Sequence, residues 1–169
     1  MSDRPAWERD GRDWPNRQFS RFVAAGGMRW HVQVAGTGPV MLLLHGTGAA
    51  THSWRSLLPL LAEHFTVVAP DLPGHGFTAR GPQMLPAMAK AVSALLRELD
   101  LKPAIIVGHS AGAAVGLRMA LDGLVEAKAV VGLSPALLPF PGLAAKLFPT
   151  MAKLLFVNPF APYIFARMA

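Results

Sequence analysis

The sequence predicts an α/β fold built on a mostly parallel sheet, and three observations carry that prediction. The first is a hairpin signal: Arg21–Ala24 and Met28–Val34 read as strands joined around Gly26-Gly27. The second is the alternation, after that hairpin, of short apolar runs with segments of helical spacing, the pattern of strands and crossover helices. The third is AIIVGHSAGAAVG, residues 104 to 116, which runs an apolar strand into Gly-x-Ser-x-Gly and on into a small-residue helix.

Taken in order, Met1–Phe19 is a polar arm with Trp7 and Trp14, expected to lie against the domain rather than to form an element. In the hairpin, Trp30, Val32 and Val34 alternate on one face. Gly36-Thr37-Gly38-Pro39 is a turn. Val40–Leu44 is continuously apolar, hence a buried central strand, and His45-Gly46-Thr47-Gly48 ends it. Thr51–Glu63 fits a helix, with Trp54, Leu57, Leu58 and Leu61 at helical spacing. Phe65–Ala69 is the next strand and Pro70–Gly76 the loop after it. Met84–Leu99 repeats the helical pattern through Met88, Val92, Leu95, Leu96 and Leu99. The strand Ala104–Val107, the helix Ala111–Leu124 and the strand Ala129–Leu133 complete the series. In a parallel sheet covered on both faces, chemistry gathers at the carboxyl ends of the strands. His45, Asp71 and Ser110 each lie within a few residues of such an end.

Composition narrows the function classes. With 169 residues, 52% hydrophobic and 15% charged, the chain is long enough for one core and too short for two full domains. It has no cysteine, which removes disulfides, thiol catalysis and thiolate metal sites and agrees with a reducing compartment. Met1–Arg21 is polar and charged, unlike a signal peptide, so a cytoplasmic location is expected. The formal charge is +6, yet Arg9, Arg12, Arg17 and Arg21 sit among Glu8, Asp10 and Asp13, so no nucleic-acid-binding face is expected. The most apolar region, Ala129–Met168, is cut by Pro135, Pro139, Pro141, Pro149, Pro159 and Pro162 and by Lys146 and Lys153. No transmembrane segment is expected there, and peripheral membrane association stays open.

Ser110 is the candidate nucleophile. Gly108 and Gly112 flank it where larger side chains would collide as strand and helix close on each other. A bare Gly-x-Ser-x-Gly string is common by chance, and a helix-capping serine is the plain alternative. Strand, elbow and helix in sequence favour the nucleophile. Attack on an acyl carbon creates an oxyanion that needs two preorganised N–H donors. Ala111 N–H, at the positively polarised helix start, would be one, and Thr47 N–H the other, with Gly46 and Gly48 leaving room for close backbone approach. A dinucleotide-binding reading competes for the same loop, because Gly46-Thr47-Gly48 follows a strand and Asp71 closes the next one. Thr51 occupies its third glycine position, and it leaves the serine elbow unexplained.

His45-Gly46-Thr47-Gly48, Asp71-Leu72-Pro73-Gly74-His75-Gly76 and the Gly108–Gly112 elbow, in that order and spacing, resemble the α/β-hydrolase family over about Arg21–Leu133. More narrowly, three stretches resemble the magnesium-chelatase accessory protein family of bacteriochlorophyll synthesis. They are Trp14-Pro15-Asn16-Arg17, His45 through Trp54, and His109-Ser110-Ala111-Gly112-Ala113-Ala114, and this resemblance covers nearly the whole chain. It implies an α/β-hydrolase-type, mostly parallel sheet with an N-terminal hairpin, incomplete at its C-terminal end, in a protein associated with photosynthesis.

The family resemblance also implies a triad in the order Ser, then Asp or Glu, then His. After Ser110 the only acids are Asp122 and Glu126, in or just after the elbow helix, and no histidine follows His109. The triad acid and His are therefore expected to be absent from this chain. Among upstream candidates, His109 leaves the elbow in another direction and His45 is expected to pack and bond locally. His52, His64 and His75 read as surface or loop residues, and Asp71 as a loop brace. No metal or cofactor is expected. Leu137–Ala169 resembles the start of a helical cap, giving an arm at 1–19, a core at 20–136 and cap residues at 137–169.

The resemblance implies two functions. One is a serine-type hydrolase of an ester or related acyl bond, with a small apolar acyl or tetrapyrrole-like substrate, this chain being inactive alone. The other is a non-catalytic accessory protein that binds a tetrapyrrole or a magnesium-chelatase subunit. A serine at the elbow argues against dehalogenase and epoxide-hydrolase chemistry, which the family resemblance associates with a carboxylate there.

Overall fold

In the computed structural model, which describes residues 5–137, Gly26 and Gly27 sit at φ +57° and +75°. Those are the left-handed values a two-residue hairpin turn requires. The turn joins β1 (Ser20–Ala25) to β2 (Met28–Ala35), antiparallel, with Ser20 opposite Gln33 and Ala25 opposite Met28. β3 (Val40–Leu44), β4 (Thr66–Pro70), β5 (Pro103–His109) and β6 (Ala129–Leu133) complete a six-stranded sheet in the order β1-β2-β4-β3-β5-β6. β2 meets β4 antiparallel, and the β4-β3-β5-β6 portion is parallel. This is the α/β architecture the sequence predicts.

The parallel strands are apolar on both faces because both are covered. Leu42 and Leu44 of β3, with Val68 and Ile106, pack on α3 (Leu85–Glu98) and α4 (Ala111–Leu121) through Val92, Leu95, Val115 and Met119. Met41 and Leu43, with Val67, Ala69 and Val107, pack on the other side against Trp54 and Leu58. Alternate residues of one strand thus feed two cores. No helix among the described residues is long and apolar enough to cross a membrane.

Two expectations need correction. The helix expected over Thr51–Glu63 is broken into a 3-10 turn at Thr51–Trp54 and α2 (Leu57–Ala62). Pro59 explains the break: it has no N–H to offer the Arg55 carbonyl, and its ring crowds that carbonyl. Asn16 Nδ2 of the arm donates to Arg55 O instead, at 3.0 Å. The arm itself does form elements, α1 (Trp7–Asp10) and a 3-10 turn at Arg17–Phe19. It also buries the second face of β2, so His31 and Gln33 are as inaccessible as Trp30 and Val32, which alternate with them. The helical cap expected from residue 137 lies outside the described residues, Leu137 apart.

Candidate active site

The elbow forms where β5 ends and α4 begins with no residue to spare. Ser110 sits between them at φ 52°, ψ −119°, a left-handed conformation that costs a non-glycine residue on the order of 1–3 kcal/mol and persists only where surroundings enforce it. Here they do. Ser110 N–H donates to Leu133 O at the end of β6 (3.0 Å), and Ser110 O accepts from Ala113 N–H (3.1 Å) and Ala136 N–H (3.2 Å). A Cβ on Gly108 would stand 2.3 Å from Ala113 Cα, and one on Gly112 2.1 Å from Leu44 O. Glycine at both positions is what lets the helix start so close to the sheet.

The loop after β3 lies directly against this elbow. A Cβ on Gly46 would stand 3.0 Å from Ser110 Cβ and 3.1 Å from His109 Nδ1. At Gly46 it is the elbow that the backbone approaches closely. Thr47 and Gly48 are exposed beyond it, and Gly48 adopts φ +75°. Ala111, as the first residue of α4, has an N–H without an acceptor inside the helix. Thr47, Ser110 and Ala111 are thus gathered at the carboxyl ends of β3 and β5, the place the topology reserves for chemistry.

His45 is fully buried and both its nitrogens are engaged. Leu72 N–H donates to Nε2 at 2.9 Å, which makes Nε2 an acceptor, so Nδ1 carries the hydrogen and donates to Gly46 O at 2.8 Å. Burial pushes the imidazole pKa down to about 4, outweighing the Gly46 bond and the Asp71 charge. A ring locked neutral, with no free lone pair, is no base for Ser110. It does make stability depend on pH. The unfolded chain binds a proton on His45 below about pH 6.5 while the folded chain refuses it until about pH 4, so stability is full above 6.5 and falls across that window. The loss should reach on the order of 3 kcal/mol by pH 4. His45→Gln, which keeps a donor and an acceptor but cannot titrate, should flatten the slope in thermal melts between pH 4 and 7.

Asp71 is the loop brace the sequence suggested, on a larger scale than expected. It accepts Thr51 N–H on Oδ1 (2.7 Å), Phe77 N–H on Oδ2 (2.9 Å), and His31 Nδ1 on Oδ2 (2.7 Å), with both side chains fully buried. Burial opposes its ionisation, but the His31 bond and charge and the two amide bonds prevail and hold its pKa below the ordinary value. His31 Nε2 meets Ser20 Oγ at 3.0 Å. His31 is invisible in the sequence because it alternates with Trp30 and Val32 and so reads as the solvent-facing residue of a hairpin. The signal that could have found it is Asp71 itself, since a carboxylate at a buried strand end needs partners.

Of the remaining histidines, His75 packs its ring against that of His45, with centroids 5.2 Å apart. His52 is half-buried with its ring edge-on to Trp14, His64 is exposed, and His75 Nδ1 lies 3.1 Å from Pro73 O. Among the described residues no group of three His, Cys, Asp or Glu side chains could hold a metal ion.

Residues 41–168 match the alpha/beta hydrolase family, most of the chain and all of the elbow. The chain belongs to that family. A curated relative, the magnesium-chelatase 30 kDa subunit of Rhodobacter capsulatus, is 42% identical over 160 residues, covering 92% of this chain and 56% of that protein. Among solved structures, Cfl2 of Burkholderia cenocepacia superposes with a TM-score of 0.67 at 28% identity, over 88% of this chain and 54% of that one. The Vigna radiata epoxide hydrolase VrEH1 gives 0.62 at 32% identity, over 80% and 43%. The chain therefore spans about half the length of these hydrolase-family relatives, and it carries the family's elbow with serine at the apex.

Proposed function

We propose that this chain contributes the nucleophile and oxyanion donors of a serine-type hydrolase acting on an ester or related acyl bond. The observation that carries the reading is Ser110 at φ 52°, ψ −119°, with the loop after β3 packed against it. Ser110 Oγ attacks the acyl carbon, and Thr47 N–H and Ala111 N–H receive the oxyanion. Serine chemistry also separates this reading from that of the epoxide-hydrolase neighbours. A serine oxygen opening an epoxide would leave an ether, which water does not cleave, whereas an acyl-serine is an ester and turns over.

The 42% identity to a magnesium-chelatase 30 kDa subunit supports a setting in bacteriochlorophyll synthesis. There the substrate is a small apolar acyl compound or a tetrapyrrole-like one, and chelatase subunits are the partners. A second reading, a non-catalytic accessory protein that binds a tetrapyrrole or a chelatase subunit, draws on the engaged nitrogens of His45, which leave Ser110 without a base from that side. A fluorophosphonate probe separates the two. Residues 1–169 are fused to the portion of the Rhodobacter relative that this chain does not cover, and labelling at Ser110 that disappears in Ser110→Ala is the expected result. A folded fusion that takes no label would favour the accessory reading.

A further inference from the structure

The loop that carries Thr47 has little of its own to hold it. Between residues of 46–50 the backbone makes one bond among the described residues, Ala49 N–H to Gly46 O at 3.2 Å, with Ala50 O accepting Ser53 N–H at 3.0 Å, and Thr47 and Gly48 are exposed. Its geometry comes from its two ends. His45 fixes the first, through Gly46 O and Leu72 N–H. Thr51 fixes the second twice over: its N–H reaches Asp71, and its Oγ1 accepts the indole N–H of Trp14 at 2.9 Å.

Trp14 belongs to neither the sheet nor the loops at its carboxyl edge. It lies on the arm, edge-on to Phe77 at 4.9 Å and to His52 at 5.3 Å. The arm is held by Gln33 Nε2 on Pro15 O (2.6 Å), by Asn16 Nδ2 on Arg55 O, and by Arg17, which bonds Gly11 O and lies over the Trp7 ring. A segment from the chain's start thus reaches across β2 to the residue that closes the candidate oxyanion loop.

We infer that Trp14 and Thr51 are positioning residues for the loop 46–50, and that docking of the arm sets how firmly Thr47 N–H is aimed. The functional meaning rests on the acyl-transfer reading of Ser110; the mechanical coupling does not. Oxyanion donors act only within a few tenths of an ångström of their proper place. Any partner that lifts the arm would loosen the loop without touching Ser110.

Amide hydrogen exchange on the 169-residue chain tests this with three variants. Trp14→Phe keeps an aromatic ring and loses the donor, Thr51→Val keeps the shape and loses the acceptor, and Thr51→Ser keeps the hydroxyl. Exchange of the two bonded amides at this loop, Ala49 and Thr51, should quicken roughly fivefold in Trp14→Phe and Thr51→Val, the range one neutral hydrogen bond supplies. It should stay near the unsubstituted rate in Thr51→Ser, with β4 unchanged throughout. Should Trp14→Phe fail to fold, the Thr51 pair decides alone. Unchanged exchange in Thr51→Val overturns the inference. So does equal quickening in Thr51→Ser, or a rise in β4 alongside the loop, which would make the bond a general stabiliser. Failure to label Ser110 alongside a positive exchange result would sink the hydrolase reading and leave the coupling standing.

Discussion

The 169-residue chain is expected to hydrolyse a p-nitrophenyl acyl ester barely above background, and Ser110→Ala is expected to change that rate little. A serine hydroxyl is a weak nucleophile near neutral pH until a base takes its proton as the new bond forms. His45, at the end of the strand beside the elbow strand, spends Nε2 on Leu72 N–H and Nδ1 on Gly46 O. His31 and His75 also have their ring bonds directed elsewhere. What the elbow and the proposed oxyanion donors would supply without a triad is a residual acceleration, far below an intact site. Fusing the portion of the Rhodobacter relative that this chain does not cover should raise turnover by roughly 10³-fold or more, now wholly dependent on Ser110. Rapid turnover by the short chain, abolished in His45→Gln, would put the base upstream and exclude a missing triad as the cause.

The elbow and the sheet are legible in the sequence because short-range patterns encode them. Val40–Leu44 is apolar at every position since both its faces are covered, and Gly108 and Gly112 stand where helix meets strand. The arm and the buried His31–Asp71 pair are not legible, because they depend on contacts between residues far apart in the chain. Nothing local to Trp14 says that its indole meets Thr51, and nothing local to His31 says that the arm will cover it. The Trp14-Pro15-Asn16-Arg17 stretch stands out in the sequence only as a resemblance. In the fold each of its residues has work: Trp14 bonds Thr51, Pro15 O takes Gln33, Asn16 caps the carbonyl that Pro59 leaves unpaired, and Arg17 covers Trp7. The broken helix over Thr51–Glu63 is a different case, since Pro59 is in plain view there and its missing N–H outweighs the apolar spacing around it.

Gly112→Ala should be among the most damaging single-methyl additions available in this chain. The new Cβ would lie 2.1 Å from Leu44 O and 2.6 Å from His45 O, which are backbone atoms at the end of the central strand. Neither can retreat. Leu44 is paired with Gly108 across β3 and β5, and His45 is held through both nitrogens. The start of α4 must lift instead, taking Ser110 and the Ala111 N–H with it. Overpacking against an unyielding wall costs about 3 kcal/mol or more. Gly123→Ala supplies the control. Gly123 has φ +64° and nothing within 4 Å of an added Cβ, so only the left-handed backbone opposes the change, at about 1–2 kcal/mol. Urea unfolding of the two variants beside the unsubstituted chain should therefore show the larger loss at Gly112. Equal losses would mean that the helix start has slack. The elbow geometry could then not be what holds Ser110 in its left-handed conformation.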